Sequence, residues 1–232
     1  MIQAIILCAG YGTRMQGVNK DIPKVMLPIG NKPVLEHTLN LLKEHGITEI
    51  GINLSYKGAA IQNYFKDGSN LGLNITYSYE EKPQGTSGAL NNFRNNLAEQ
   101  FFIIYGDVLS KTDLEKFKSC AENKNYRYLI GLYQVPNPQE CGIVSLDKEK
   151  QIKKFLEKPE NPTSNLANAG IYYLHQNILN YIPEHQFSDF GKDIFPEMLK
   201  AGEKLYGYNI DEYLIDIGIP EKYERANIEF RE

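Results

Sequence analysis

Residues 2–8 read IQAIILC, an apolar run broken by one glutamine and too short for a buried helix. Such a run is expected of a strand covered on both faces, which calls for a parallel sheet between helices. The first half of the chain repeats the signal. Residues 33–45 form a helical stripe of Val34, Leu35, Thr38, Leu39, Leu41 and Leu42, with Pro33 in the first turn and Gly46 as the stop. Residues 47–54 predict a second strand, 59–65 a second helix, 73–79 a third strand, 86–97 a third helix and 101–105 (FFIIY) a fourth buried strand. This alternation predicts an α/β, Rossmann-like doubly wound fold with a mainly parallel sheet and right-handed crossovers. Ligands of such sheets lie beyond the carboxyl ends of the strands. The residues after Cys8, Tyr79 and Tyr105 are therefore the places to look for chemistry.

The second half changes character. Residues 128–134, 143–146, 152–156 and 171–174 predict short strands joined by turns, a small mixed or antiparallel extension, followed by helices at 189–200 and 221–230. No linker composition stands near 135–138 and no repeat is visible, so residues 1–232 are expected to be one domain. With 42% hydrophobic residues in 232, the chain can bury a substantial core. Its net charge of −4 argues against a nucleic-acid groove, so an anionic ligand has to be held by a few placed cations. Cys8, Cys120 and Cys141 are scattered and odd in number, which argues against a disulfide framework or a zinc site and fits a reducing compartment. No apolar run approaches the ~20 residues of a membrane span, and the first residues do not look like a leader. The expected location is cytoplasmic.

Six stretches carry possible chemistry. Cys8-Ala9-Gly10-Tyr11-Gly12-Thr13-Arg14-Met15 is a glycine loop after the first strand, able to bring backbone N–H groups against phosphate, with an arginine suited to bidentate phosphate binding. Met15 stands where a dinucleotide fingerprint has its third glycine. Gly12 and Gly17 have P-loop spacing, but Val18 and Asn19 replace the Lys and Ser/Thr of that motif. Lys24 lies between Pro23 and Pro28 in an apolar setting and needs an anion if buried. Residues 80–90 (EEKPQGTSGAL) form a glycine-rich turn, where Gly85 and Gly88 allow close approach of a flat ligand and Thr86 is a candidate helix cap. Asp107 follows the fourth strand, a favoured place for a magnesium ligand. Glu157-Lys158-Pro159 offers an acid and a base, and Asp216-Ile217-Gly218-Ile219-Pro220 a second carboxylate. Taken singly, the 80–90 stretch reads equally well as a plain helix cap, and each of the others reads better as a turn or a surface residue.

Taken in order, they resemble the sugar-1-phosphate nucleotidyltransferases. The matching features are Gly-Thr-Arg closing the first loop, Pro-Lys-x-x-Leu-Pro-Ile, Gly-Thr-x-Gly-Ala-Leu, Gly-Asp after the fourth strand, Glu-Lys-Pro, Asn168-Ala169-Gly170-Ile171-Tyr172 and the late Asp-x-Gly-x-Pro. The resemblance spans residues 2–227 and implies a glycosyltransferase-A-like fold. It implies that Ala9, Gly10, Gly12 and Thr13 line the triphosphate loop, that Arg14 grips the leaving pyrophosphate and that Lys24 stabilises charge at the reacting phosphates. Glu80, Gly85 and Thr86 would meet base and ribose. Asp107 and Asp216 would hold Mg2+. Gly142, Glu157 and Asn168 would contact the sugar, and Lys158 its phosphate. Ala9 departs from a common glycine and Val25 from a common proline, and no hexapeptide repeat follows that would build a β-helix domain.

The implied substrates are a nucleoside triphosphate and a sugar 1-phosphate, with no nucleic acid or membrane partner; a homo-oligomer is left open. Glu80 stands where thymidylyl members place Gln. A carboxylate accepts from both N1–H and N2–H2 of guanine, whereas a glutamine amide suits thymine or uracil. The wording of the third motif looks most like heptose-1-phosphate and mannose-1-phosphate guanylyltransferases. The expected pair is GTP with D-glycero-D-manno-heptose 1-phosphate or mannose 1-phosphate; UTP or CTP stays open. A non-catalytic nucleotide-sugar sensor is a rival reading, set against the presence of Arg14, Lys24, Asp107, Lys158 and Asp216. A dinucleotide-dependent oxidoreductase is disfavoured by Met15. His37, His45, His175 and His185 have no place in this chemistry.

Overall fold

The computed structural model describes residues 1–15 and 21–230; Gly17, Val18 and Asn19, compared above with a P-loop, lie outside them. The parallel part of the sheet is built from β1 (Ile2–Leu7), β2 (Glu49–Leu54), β3 (Asn74–Tyr79) and β4 (Leu97–Tyr105), in the order β3-β2-β1-β4. Ala4 pairs with Ile50 on one side and Phe102 on the other. Successive strands wind outward from β1 to β3, and the chain then returns to the opposite side of β1 to lay down β4. That reversal is the topological switch point, where the loops leaving β1 and β4 diverge and leave a crevice.

Residues of β1 feed two cores, which is why its sequence is apolar but for the exposed Gln3. Ala4 and Ile6 face one core with Leu35, Leu39, Leu42, Phe65 and Phe117. Ile2 and Ile5 face the other with Phe93, Tyr128, Phe190 and Phe195. Helices α1 (Val34–Glu44), α2 (Gly58–Phe65) and α4 (Leu114–Asn123) supply the first core, and α4 was not foreseen in the sequence. Leu35, Leu39 and Leu42 are fully buried at helical spacing, each contributing roughly 1.5–3 kcal/mol.

The helix predicted over 86–97 is much reduced. One α turn, α3 (Gly85–Gly88), passes into a 3₁₀ stretch, Ala89–Asn96, and Leu97 already belongs to β4. Four asparagines in ALNNFRNN lower the helix propensity, and the Asn91 amide donates to the Pro183 carbonyl at 2.9 Å instead of facing solvent. Thr86 does not cap this turn.

The extension is larger than expected: β5 (Tyr128–Gln134), β6 (Gly142–Leu146), β7 (Ile152–Glu157), β8 (Leu166–His175) and β9 (Tyr206–Asn209) complete the nine-stranded sheet. The long β8 joins the two parts. Its second half lies antiparallel between β4 and β5, with Tyr172 opposite both Ile103 and Ile130; its first half diverges to meet β6 at Ala167 and Ile143. The expected helix at 189–200 is a π turn, Phe190–Ile194, running into α5 (Phe195–Lys200), and α6 (Pro220–Glu229) ends the described chain. No helix among the described residues is long and apolar enough to cross a membrane.

Candidate active site

A cavity of about 440 Å³ opens at the switch point. It collects Ala9, Gly10, Arg14, Lys24, Glu80, Gly85, Thr86, Asp107, Gly142, Glu157, Lys158, Asn168 and Asp216 from eight segments of the sequence. Gly12 lines a smaller cleft alongside, which shares Gly10 and Lys24 with the main cavity, and Thr13 lines neither. None of the four histidines reaches the cavity. His37 instead bonds the Ile29 carbonyl, and His45 the Leu41 carbonyl, each through one ring nitrogen.

The charged centre is assembled by a two-stranded ribbon outside the main sheet. Val108–Ser110 pairs antiparallel with Leu214–Asp216, Asp216 lies opposite Val108, and the Ile217 N–H donates to the Asp107 carbonyl at 3.0 Å. Two carboxylates remote in sequence are thereby held next to each other. Lys24, in a 3₁₀ turn set by Pro23, forms an ion pair with Asp107; their side chains are 15% and 20% exposed. Burial pushes the Asp107 carboxyl up, but the Lys24 ammonium outweighs it and holds Asp107 below the ordinary carboxylate range. Burial likewise works against the Lys24 charge, and Asp107 more than restores it, so Lys24 stays protonated. Asp216 is different. Burial first, then the negative charge of Asp107, raise its carboxyl above the ordinary value, although it accepts the Gly218 N–H at 2.7 Å. The Arg14 guanidinium lies against Gly218, where an added Cβ would come within 3.1 Å of it and 2.9 Å of the Asp216 carboxylate.

Glu80 is 1% exposed and acts as a brace: its two oxygens accept from the Asn53 amide at 2.9 Å and the Gln84 N–H at 2.8 Å. Asn53 in turn accepts the Cys8 N–H at 2.8 Å, so the first loop and the 80–85 turn are tied through one buried amide. Gly85 and Gly88 do admit a close neighbour, the backbone of residues 186–188, and Gly85 also lines the cavity. Gly85 has φ +84°, and a Cβ there would collide with the Ser188 carbonyl, which accepts the Ser87 and Gly88 N–H groups.

At the opposite end, the Glu157 carboxylate lies between Gly142 and Gly191, where an added Cβ would approach its Oε2 to 2.8 and 3.0 Å. Only glycine leaves the carboxylate room in this position. Burial and then Asp189 push the Glu157 carboxyl up, against Lys158 and Lys192. Asn168 accepts the Gly170 N–H and donates to the Tyr172 hydroxyl, which donates to Tyr105 on the cavity wall. Lys158 is exposed at the rim with φ +47°, a conformation that costs a non-glycine residue about 1–2 kcal/mol.

Lining residues that escaped the sequence reading include Asn53, Tyr133, Glu140, Phe187, Asp189 and Gly191. Asn53 had a signal, a polar residue inside an apolar strand run, and so had Asp189, an acid immediately before a helical pattern. Phe187, 67% exposed at the cavity mouth, had none.

This arrangement can hold a polyanion between Arg14, Lys24 and Lys158, and a polyhydroxylated group by Glu157 and Asn168. The family described as nucleotidyl transferase matches residues 3–232. The D-glycero-alpha-D-manno-heptose 1-phosphate guanylyltransferase of Campylobacter jejuni is 37% identical over 96% of this chain and 97% of its own. The mannose-1-phosphate guanylyltransferase of Mycobacterium tuberculosis is 35% identical over 97% of this chain, which spans 64% of that relative's length. HddC from Yersinia pseudotuberculosis, crystallised with GMP-PN, superposes with a TM-score of 0.84 at 29% identity, with both chains fully covered. The chain belongs to the nucleotidyl transferase family.

Proposed function

We propose that the chain is a sugar-1-phosphate nucleotidyltransferase using GTP and either D-glycero-D-manno-heptose 1-phosphate or mannose 1-phosphate. The observation that carries the reaction is a single cavity with cations at Arg14, Lys24 and Lys158, paired carboxylates at Asp107 and Asp216, and Glu157 with Asn168 at the far end. The guanine reading is supported by the names of the two relatives and by Glu80, the carboxylate of the 80–85 turn that lines the cavity. Each of its oxygens accepts one protein bond and retains a lone pair for the two guanine donors.

A phosphate oxygen of the sugar 1-phosphate forms the new bond to the α-phosphorus, and the bond to the β-phosphate bridge breaks, the pyrophosphate leaving with the electron pair. The nucleophile is already an anion, so no general base is required. The obstacle is repulsion between two polyanions, which positioned cations lower. Lys24, kept protonated by Asp107, faces the reacting phosphates; Arg14 binds the pyrophosphate end; Lys158 holds the sugar phosphate. The donor set fits magnesium. Asp107 and Asp216 are hard oxygen ligands held side by side, and substrate oxygens would complete the shell. Bound by these two carboxylates, magnesium would neutralise phosphate charge as a Lewis acid.

The test is pyrophosphate release with Mg2+, each nucleoside triphosphate and a panel of sugar 1-phosphates. Release with GTP and a heptose or mannose 1-phosphate is expected. Release with UTP, CTP or dTTP alone overturns the base. Binding of a nucleotide sugar without turnover of any pair overturns the enzyme reading in favour of a sensor.

A further inference from the structure

One carboxylate outside the charged centre joins the two halves of the cavity. Asp189 Oδ2 accepts the Thr86 hydroxyl at 2.8 Å. The same hydroxyl oxygen accepts the Phe190 N–H at 2.9 Å. A hydroxyl has one proton to give, and here it goes to Asp189, so any further group that bonds the Thr86 oxygen must be a donor. Asp189 Oδ1 accepts the N–H groups of Gly191 at 3.0 Å and Lys192 at 3.3 Å. Gly191 is the residue against which the Glu157 carboxylate rests.

The backbone before Asp189 is fastened to the same turn. The Ser188 N–H donates to the Gln84 carbonyl at 3.0 Å, and the Ser87 and Ser188 hydroxyls are 2.8 Å apart. Residues 186–191 therefore run from the turn that holds Gly85 and Thr86 to the wall that holds Glu157. Asp189 is one side chain through which the two ends are bonded, beside the Thr86 contact with Tyr105 and its partner Tyr172, and Thr86, Glu157, Asp189 and Gly191 all line the cavity.

The geometry points to Asp189 as a positioning residue that sets the sugar end of the site from the nucleotide end, through its bond to Thr86. This rests on the proposed transfer reaction. The consequence is specific: a change confined to Thr86, on the nucleotide side, alters affinity for the sugar phosphate. Thr86→Val keeps the shape and removes the hydroxyl. Asp189→Asn keeps an acceptor for Gly191 and places an amide donor against an oxygen that already receives Phe190. Thr86→Ser keeps the bond. Loss of one charge-assisted hydrogen bond corresponds to about tenfold or more in binding.

The experiment measures KM for each substrate with the other saturating, and by calorimetry the affinity for GDP-mannose. Thr86→Val and Asp189→Asn are each expected to raise the sugar-phosphate KM about tenfold, the double variant no further than either alone, with Thr86→Ser within twofold of wild type. A sugar-phosphate KM unchanged in Thr86→Val, or fully additive single effects, overturns the coupling while the transfer reaction stands. A wild-type protein that binds neither sugar phosphate nor nucleotide sugar overturns both. Thermal unfolding guards the comparison: a Thr86→Val variant that unfolds early but retains wild-type sugar-phosphate KM counts against the proposal.

Discussion

The neighbouring carboxylates Asp107 and Asp216 should respond in opposite directions to the same substitution. Asp107 has its folded pKa depressed by Lys24, after burial is overcome. A depressed carboxylate contributes stability above its unfolded value, which is lost as pH falls through the folded one. Asp107→Asn at pH 7 removes that contribution and leaves the Lys24 ammonium without its charged partner. With side chains 15% and 20% exposed, the cost falls below the 3–5 kcal/mol of a fully buried broken pair, at about 2 kcal/mol. Asp216 has its folded pKa raised by burial and by Asp107, so its ionised form is disfavoured in the fold throughout the neutral range. Asp216→Asn keeps an oxygen for the Gly218 N–H, loses the charge and should stabilise by about 1 kcal/mol. For a chain of this size 1 kcal/mol is about 2–4 °C in Tm. At pH 7 Asp107→Asn is expected about 4–8 °C below wild type and Asp216→Asn about 2–4 °C above it, both without turnover. Well below about pH 4 wild-type Asp216 is protonated and the advantage of the asparagine disappears. Scanning unfolding at pH 7 and pH 3, without substrate or metal, reads both signs. An Asp216→Asn variant destabilised as much as Asp107→Asn would refute the reading that burial and Asp107 disfavour the Asp216 charge.

Gly85→Ala should destabilise by about 2–5 kcal/mol, since φ +84° and the overlap with the Ser188 carbonyl leave a Cβ no space; chemical denaturation reads it. Phe187→Ala, at a 67% exposed ring, should leave stability within about 0.5 kcal/mol yet raise the nucleotide KM about fivefold, because the ring stands at the mouth beside the Gly85 turn. Lys158→Gly relieves a φ of +47° and so should not lower Tm, while raising the KM for the sugar phosphate through loss of its cation.

The parallel half of the fold was legible because burial on both faces writes a nearly continuous apolar run, as at 2–8, where Gln3 alone is polar and exposed. Tyr128–Gln134 was equally clear. The stretch at 166–170 was not, because β8 changes partners there: Asn168 and Gly170 look like loop residues, yet they sit where the strand diverges from β4 towards β6. The glycine turn at 85–88 was legible as a close approach, but not its occupant, since the backbone of residues 186–188 that fills it is a hundred residues further on. The same limit applies to the site. Arg14, Lys24, Asp107 and Asp216 can each be found at a strand end or a proline turn, because local backbone chemistry marks them.

Whether two such groups repel or neutralise each other depends on the ribbon of Val108–Ser110 with Leu214–Asp216, which no local pattern announces. Pairing in that ribbon places Asp216 beside Asp107 and gives Lys24 to only one of them. The fold thus compensates the charge of Asp216 only in part, through Lys24, Lys222 and the Gly218 N–H. That charge is best satisfied by a cation arriving with the substrate, so binding should stabilise the wild-type protein more than Asp216→Asn, the reverse of their order without ligand.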